Sequence, residues 1–174
     1  VTYERTSDLP QRSGSFQAMV RAGDSVTSYL RTGKGEPVVL LRRTRHLEPL
    51  WGIVLAEVSH SFRAIVPEHA PDGEHFATWF RSFLDGLGLG AVRVVSDAHF
   101  GMCCVDAGVL DPDWLSVLVV LAESGEAQRL AHLLEANQAP AVTTALVLTD
   151  DADAYGVAER ALVHLGDSRR GPGG

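Results

Sequence analysis

Apolar residues follow two rhythms along this chain, and the rhythms alternate. Phe16 to Ala22 and Val26 to Arg31 predict two strands joined at Gly23-Asp24, where a short polar pair suits a hairpin. Val38-Val39-Leu40-Leu41 is apolar without a break, the signature of a strand buried on both faces. Further strands of this kind are predicted over Phe62 to Val66, Val92 to Val95, Leu115 to Leu121 and Ala145 to Leu148.

Between them the spacing changes to three and four residues. Leu47 to Val58 places Leu50, Trp51, Val54, Leu55 and Val58 on one side. His75 to Leu87 does the same with Phe76, Trp79, Phe80, Phe83, Leu84 and Leu87, and Gly88 and Gly90 stop it. Gly101 to Leu110, Ala127 to Ala136 and Tyr155 to Leu165 complete the predicted helices. Three strands followed by helix–strand repeats predict an α/β class domain with a mostly parallel, roughly seven-stranded sheet flanked by helices. The expected division is a flexible segment over 1–14, one domain over 15–167 and a disordered Gly-Pro-Arg tail over 168–174.

Composition narrows the function classes. Fifteen basic and 22 acidic residues give a net charge of −7, which argues against nucleic acid or anionic lipid as a partner. No apolar run reaches the ~18 residues that span a membrane. The only cysteines, Cys103 and Cys104, are adjacent, which disfavours a disulfide and suggests a reducing, cytoplasmic setting. The seven histidines show no zinc-like i, i+4 pair, so neither metal nor cofactor is expected.

Several phrases, in this order, resemble the α/β-hydrolase superfamily: Tyr29-Leu30-Arg31-Thr32-Gly33, Pro37-Val38-Val39-Leu40-Leu41, Phe62 to Pro67, Phe83 to Leu89, Val92 to Gly101, and Asp111 to Leu115. The run Ala145 to Leu165 is similar to the family's seventh strand, its acid loop and the next helix. The resemblance implies a minimal lid over about Ala122 to Gln138, with the last strand and helix of the family missing.

The family's nucleophile stands on a strained strand-to-helix turn beside backbone N–H donors. Here the elbow reads Ser96-Asp97-Ala98-His99-Phe100-Gly101, so Ala98 holds the nucleophile position and Phe100 replaces a glycine. Arg42-Arg43 stands where the family carries His-Gly, and no histidine follows Leu165 where its general base belongs. The acid is partly kept by Asp150, Asp151 and Asp153. The elbow is also faintly similar to that of cofactor-independent 2,4-dioxygenases, keeping Ser96, His99 and Gly101 but losing the central serine.

Ligands of open parallel sheets bind outside the carboxyl ends of the strands. Those ends carry candidate catalytic groups His99, Asp97 and Asp153, and candidate substrate-binding groups Arg42, Arg43, His46, His69, Ala98, Phe100 and Glu123. An Asp97–His99 pair could act as a general base, while Asp97 alone reads equally as a helix N-cap. The expected function is non-hydrolytic acid–base chemistry (cyclase, isomerase or lyase) on a small apolar or aromatic ligand, in the setting of specialised metabolism. The alternative is a catalytically silent binding protein, homodimeric across an uncovered sheet edge or docked to a partner enzyme.

Overall fold

The computed structural model describes residues 3–4, 15–43, 49–106, 113–136, 142–149 and 153–167. Its strands are β1 (Tyr3–Glu4), β2 (Ser15–Ala22), β3 (Ser25–Thr32), β4 (Pro37–Leu41), β5 (Arg63–Pro67), β6 (Val92–Asp97), β7 (Leu115–Ala122) and β8 (Thr143–Leu148). The α-helices are α1 (Pro49–Ser61), α2 (Phe76–Leu87), α3 (Ala98–Asp106), α4 (Ser124–Ala136) and α5 (Ala154–Asp167). One sheet takes all the strands in the order β1-β2-β3-β5-β4-β6-β7-β8.

The hairpin forms where alternation and the Gly23-Asp24 pair predict it, with Ala22 opposite Ser25. β3 then pairs antiparallel with β5, and every pairing from β5 through β8 is parallel. The apolar strands β4 and β7 are buried on both faces, as a parallel sheet between helix layers requires. β8 has no strand on its outer side among the described residues.

Each face of the sheet carries its own core. On one, Phe76, Phe80 and Phe83 of α2 join Phe100 and Cys104 of α3 and Leu130 of α4. Opposite lie Trp51, Val54 and Val58 of α1 with Val157, Ala158, Ala161 and Leu165 of α5. The first face is anchored by a buried polar contact, Trp79 Nε1–H donating to Thr27 Oγ1 at 3.1 Å. Indole N–H groups need such a partner once water is removed.

The seven longer strands match the roughly seven-stranded sheet expected, and Tyr3 and Glu4 add a two-residue strand paired with Met19 and Ala18. One element boundary is corrected. Helix α3 begins at Ala98 and not at Gly101, because Asp97 supplies the cap that lets the chain turn at once. Gly101 explains how that turn packs: a Cβ there would lie 2.8 Å and 2.9 Å from the Val120 methyls. The helix can rest on β7 only with hydrogen at this position.

Candidate functional site

The parallel strands deliver their following residues to one end of the sheet. Arg42 and Arg43 follow β4, Glu68 to Asp72 follow β5, and His99 and Phe100 open α3 after β6. Together with Ala70 and Pro71 these residues line a cleft of about 230 Å³. Phe100 gives it an apolar floor; its ring is 5.7 Å from that of Phe76 and meets His99 edge-on at 5.1 Å. The walls are charged. Arg42, Arg43, His69 and His99 line it together with Glu68 and Asp72.

Asp97 does something local and definite. Its Oδ1 accepts the Phe100 N–H at 2.9 Å and its Oδ2 accepts the Arg43 N–H at 2.7 Å. The first bond caps α3; the second ties the cap to the loop after β4, 54 residues away in sequence. The two donors come from the elbow helix and from the loop after the third family-type strand. In α/β-hydrolases the elbow donor to an oxyanion is the residue after the nucleophile, which corresponds here to His99 and not to Phe100. The Asp97 carboxylate thus joins the start of α3 to the loop after β4.

His99 therefore has a different acidic partner from the expected one. Its Nε2 lies 3.5 Å from Asp72 Oδ2, in the loop before α2, and 3.9 Å from Cys103 Sγ, one turn further along α3. Asp72 was not singled out from the sequence. The available signal was its place in Pro71-Asp72-Gly73, a turn tripeptide at the carboxyl side of a strand. The neighbouring thiols differ: burial pushes Cys104 far above the ordinary thiol range. Burial also raises Cys103, helped by the charges of Asp72, Asp106 and Asp97 and opposed by a hydrogen bond from the Gly73 backbone.

The remaining expected residues separate. Ala98 is only 2% exposed and does not line this cleft. Ser96 is fully buried in the core and its Oγ has no hydrogen-bond partner among them. Asp153 caps α5, accepting the Gly156 N–H at 2.7 Å, and Glu123 opens α4, its carbonyl accepting from Ala127 at 2.9 Å. Neither reaches the cleft. His46 lies outside the described residues. No three His, Cys, Asp or Glu side chains among the described residues form a group able to hold a metal ion. No helix there is long and apolar enough to cross a membrane.

Comparison with known proteins gives one result, and it concerns the fold. No protein family's sequence profile matches the chain, and no curated protein matches it in sequence. Solved structures do match. An epoxide hydrolase from an endophytic Streptomyces is 15% identical at a TM-score of 0.53, over 64% of this chain and 38% of that one. An epoxide hydrolase from Vigna radiata is 17% identical at a TM-score of 0.53, over 72% and 47%. A haloalkane dehalogenase from Agrobacterium tumefaciens is 19% identical at a TM-score of 0.50, over 63% and 41%. The chain spans less than half the length of each of these proteins. At such identities the likeness speaks for architecture, and it agrees with the strand order and the elbow position: the chain has the α/β-hydrolase fold.

Proposed function

We propose that this domain binds a small anionic organic ligand in the cleft and does not hydrolyse it. The observation that carries the reading is the placing of Arg42 and Arg43 on the wall of the cleft beside His99. With Ala98 at the nucleophile position, the group that attack would need is missing. The cleft gathers Arg42, Arg43, His69 and His99 together with the carboxylates of Glu68 and Asp72, in a chain whose net charge is −7, so an anion would be held by the guanidinium groups. Guanidinium groups suit carboxylate and phosphate because their forked donors match paired oxygens. The cytoplasmic setting suggested by the adjacent cysteines belongs to the same reading.

The test is a thermal-shift series with inorganic phosphate, citrate and benzoate, against chloride at equal ionic strength. A ligand at about 100 times its Kd stabilises the native state by about 2.7 kcal/mol. The expected result is a rise in Tm with at least one of these anions, lost in Arg43→Ala. A Tm that follows ionic strength alone sinks the reading.

A second reading, non-hydrolytic acid–base catalysis of the cyclase, isomerase or lyase kind, is favoured by the 3.5 Å approach of His99 Nε2 to Asp72. An imidazole backed by a carboxylate is a usual general base. Acetylacetone in deuterated buffer is a suitable probe, since exchange at its central carbon needs a base and no nucleophile. Exchange faster than buffer and lost in His99→Ala is the expected outcome; equal rates remove catalysis from this site.

A further inference from the structure

Beyond ligand binding, we propose that Cys103 is a base-assisted thiol, with His99 as its base and Asp72 as the counter-charge, and that it takes soft carbon electrophiles covalently. This does not depend on whether the cleft binds anions.

Three side chains from two segments meet at one imidazole nitrogen. His99 Nε2 is 3.9 Å from Cys103 Sγ and 3.5 Å from Asp72 Oδ2. A single ring nitrogen cannot serve both contacts in one protonation state. Neutral and unprotonated, Nε2 accepts from the thiol. Protonated, it donates to the carboxylate. Moving one proton from sulfur to nitrogen therefore breaks the first contact and makes the second.

The surroundings of the thiol match this use. Burial and the nearby carboxylates keep Cys103 a thiol, so it needs a base at the moment of attack. The Gly73 backbone interacts with the sulfur and favours its charged form. Cys103 is half-buried, whereas Cys104, the next residue, is wholly enclosed. His99 and Asp72 line the cleft, and Cys103, which does not, stands one turn further along α3 from His99.

The step balances without any further reagent. The thiol proton passes to His99 Nε2. Sulfur attacks the β-carbon of an α,β-unsaturated carbonyl, and the C=C pair moves to the α-carbon. The imidazolium, paired with Asp72, then returns the proton there. One C–S bond and one C–H bond form, and one S–H bond and one C=C π bond are lost.

N-Ethylmaleimide is the probe, with site-resolved mass spectrometry on the folded chain at pH 7. The expected result is rapid labelling of Cys103 and none of Cys104 until denaturant is added. His99→Ala should slow Cys103 labelling about 100-fold, the ordinary worth of a positioned general base. Asp72→Asn, a change in an exposed loop side chain, should slow it less and shift the pH at which the rate rises. A melting curve for each variant separates chemistry from unfolding. Cys103 unlabelled in the folded protein, or labelled equally fast in both variants and the parent, overturns the proposal.

Discussion

Gly33→Ala is expected to destabilise the protein by about 3 kcal/mol, lowering Tm by roughly 10 °C. Two costs combine. Gly33 sits at φ +79°, a left-handed conformation that a side chain enters at a cost of about 1 kcal/mol. A Cβ there would also stand 2.2 Å from the Phe62 carbonyl oxygen and 2.5 Å from that of Ser59. Both oxygens belong to backbone at the junction of α1 and β5, so relief requires the junction itself to move, at about 1–3 kcal/mol. Gly88→Ala is the internal control. Its φ is +66° at the end of α2, but nothing lies within 4 Å of the added carbon, so only the conformational cost of about 1 kcal/mol applies. Urea midpoints with unchanged m-values measure both. Equal losses at the two positions would mean that the Phe62 and Ser59 contacts impose no constraint.

Asp97→Ala is expected to cost about 2 kcal/mol, from the lost helix cap and the lost tie to the β4 loop. The more telling outcome is its reversal. Alanine leaves the Arg43 and Phe100 N–H groups converging on an empty place of carboxylate size. Formate or acetate should then raise the Tm of the variant more than that of the parent. The two hydrogen-bond distances of 2.7 Å and 2.9 Å make this specific, since both donors already point at one carboxylate. A variant that melts like the parent removes Asp97 as the stabilising occupant. A destabilised variant indifferent to formate shows that the donors part once the tether is gone.

If formate does bind there, the Arg43 and Phe100 N–H groups form an anion place that the Asp97 carboxylate fills from inside the chain.

Most of the architecture was legible before any coordinates. The two strand-like runs joined at Gly23-Asp24 marked the antiparallel hairpin, and the apolar runs at Val38 to Leu41 and Val117 to Leu121 marked strands covered on both faces. The aromatic spacing from Phe76 to Phe83 marked the helix that carries most of one core. Such patterns are readable because burial imposes a period of two on a strand and 3.6 on a helix, and both periods are local. The position of Ala98 at the elbow was legible for the same reason, since the strand and helix on either side of it are.

The site was another matter. Of the expected residues, Arg42, Arg43, His69, His99 and Phe100 do share a cleft, while Asp153 and Glu123 are spent at the starts of α5 and α4. Nothing in Ser96-Asp97-Ala98-His99 says which carboxylate meets which imidazole. That depends on strand order: β5 lies outside β4, which sets β4 directly beside β6 and brings Arg43 to Asp97. The loop after β5 is thereby carried over the start of α3, and Asp72 reaches His99. Sequence alone determined most of the buried positions and the order and kind of the elements, because those choices are made within a few residues by solvent. Tertiary structure alone decided the partners of Asp97, His99 and Cys103, because a short polar side chain takes the nearest donor or acceptor in space, and nearness in space is a property of the assembled sheet.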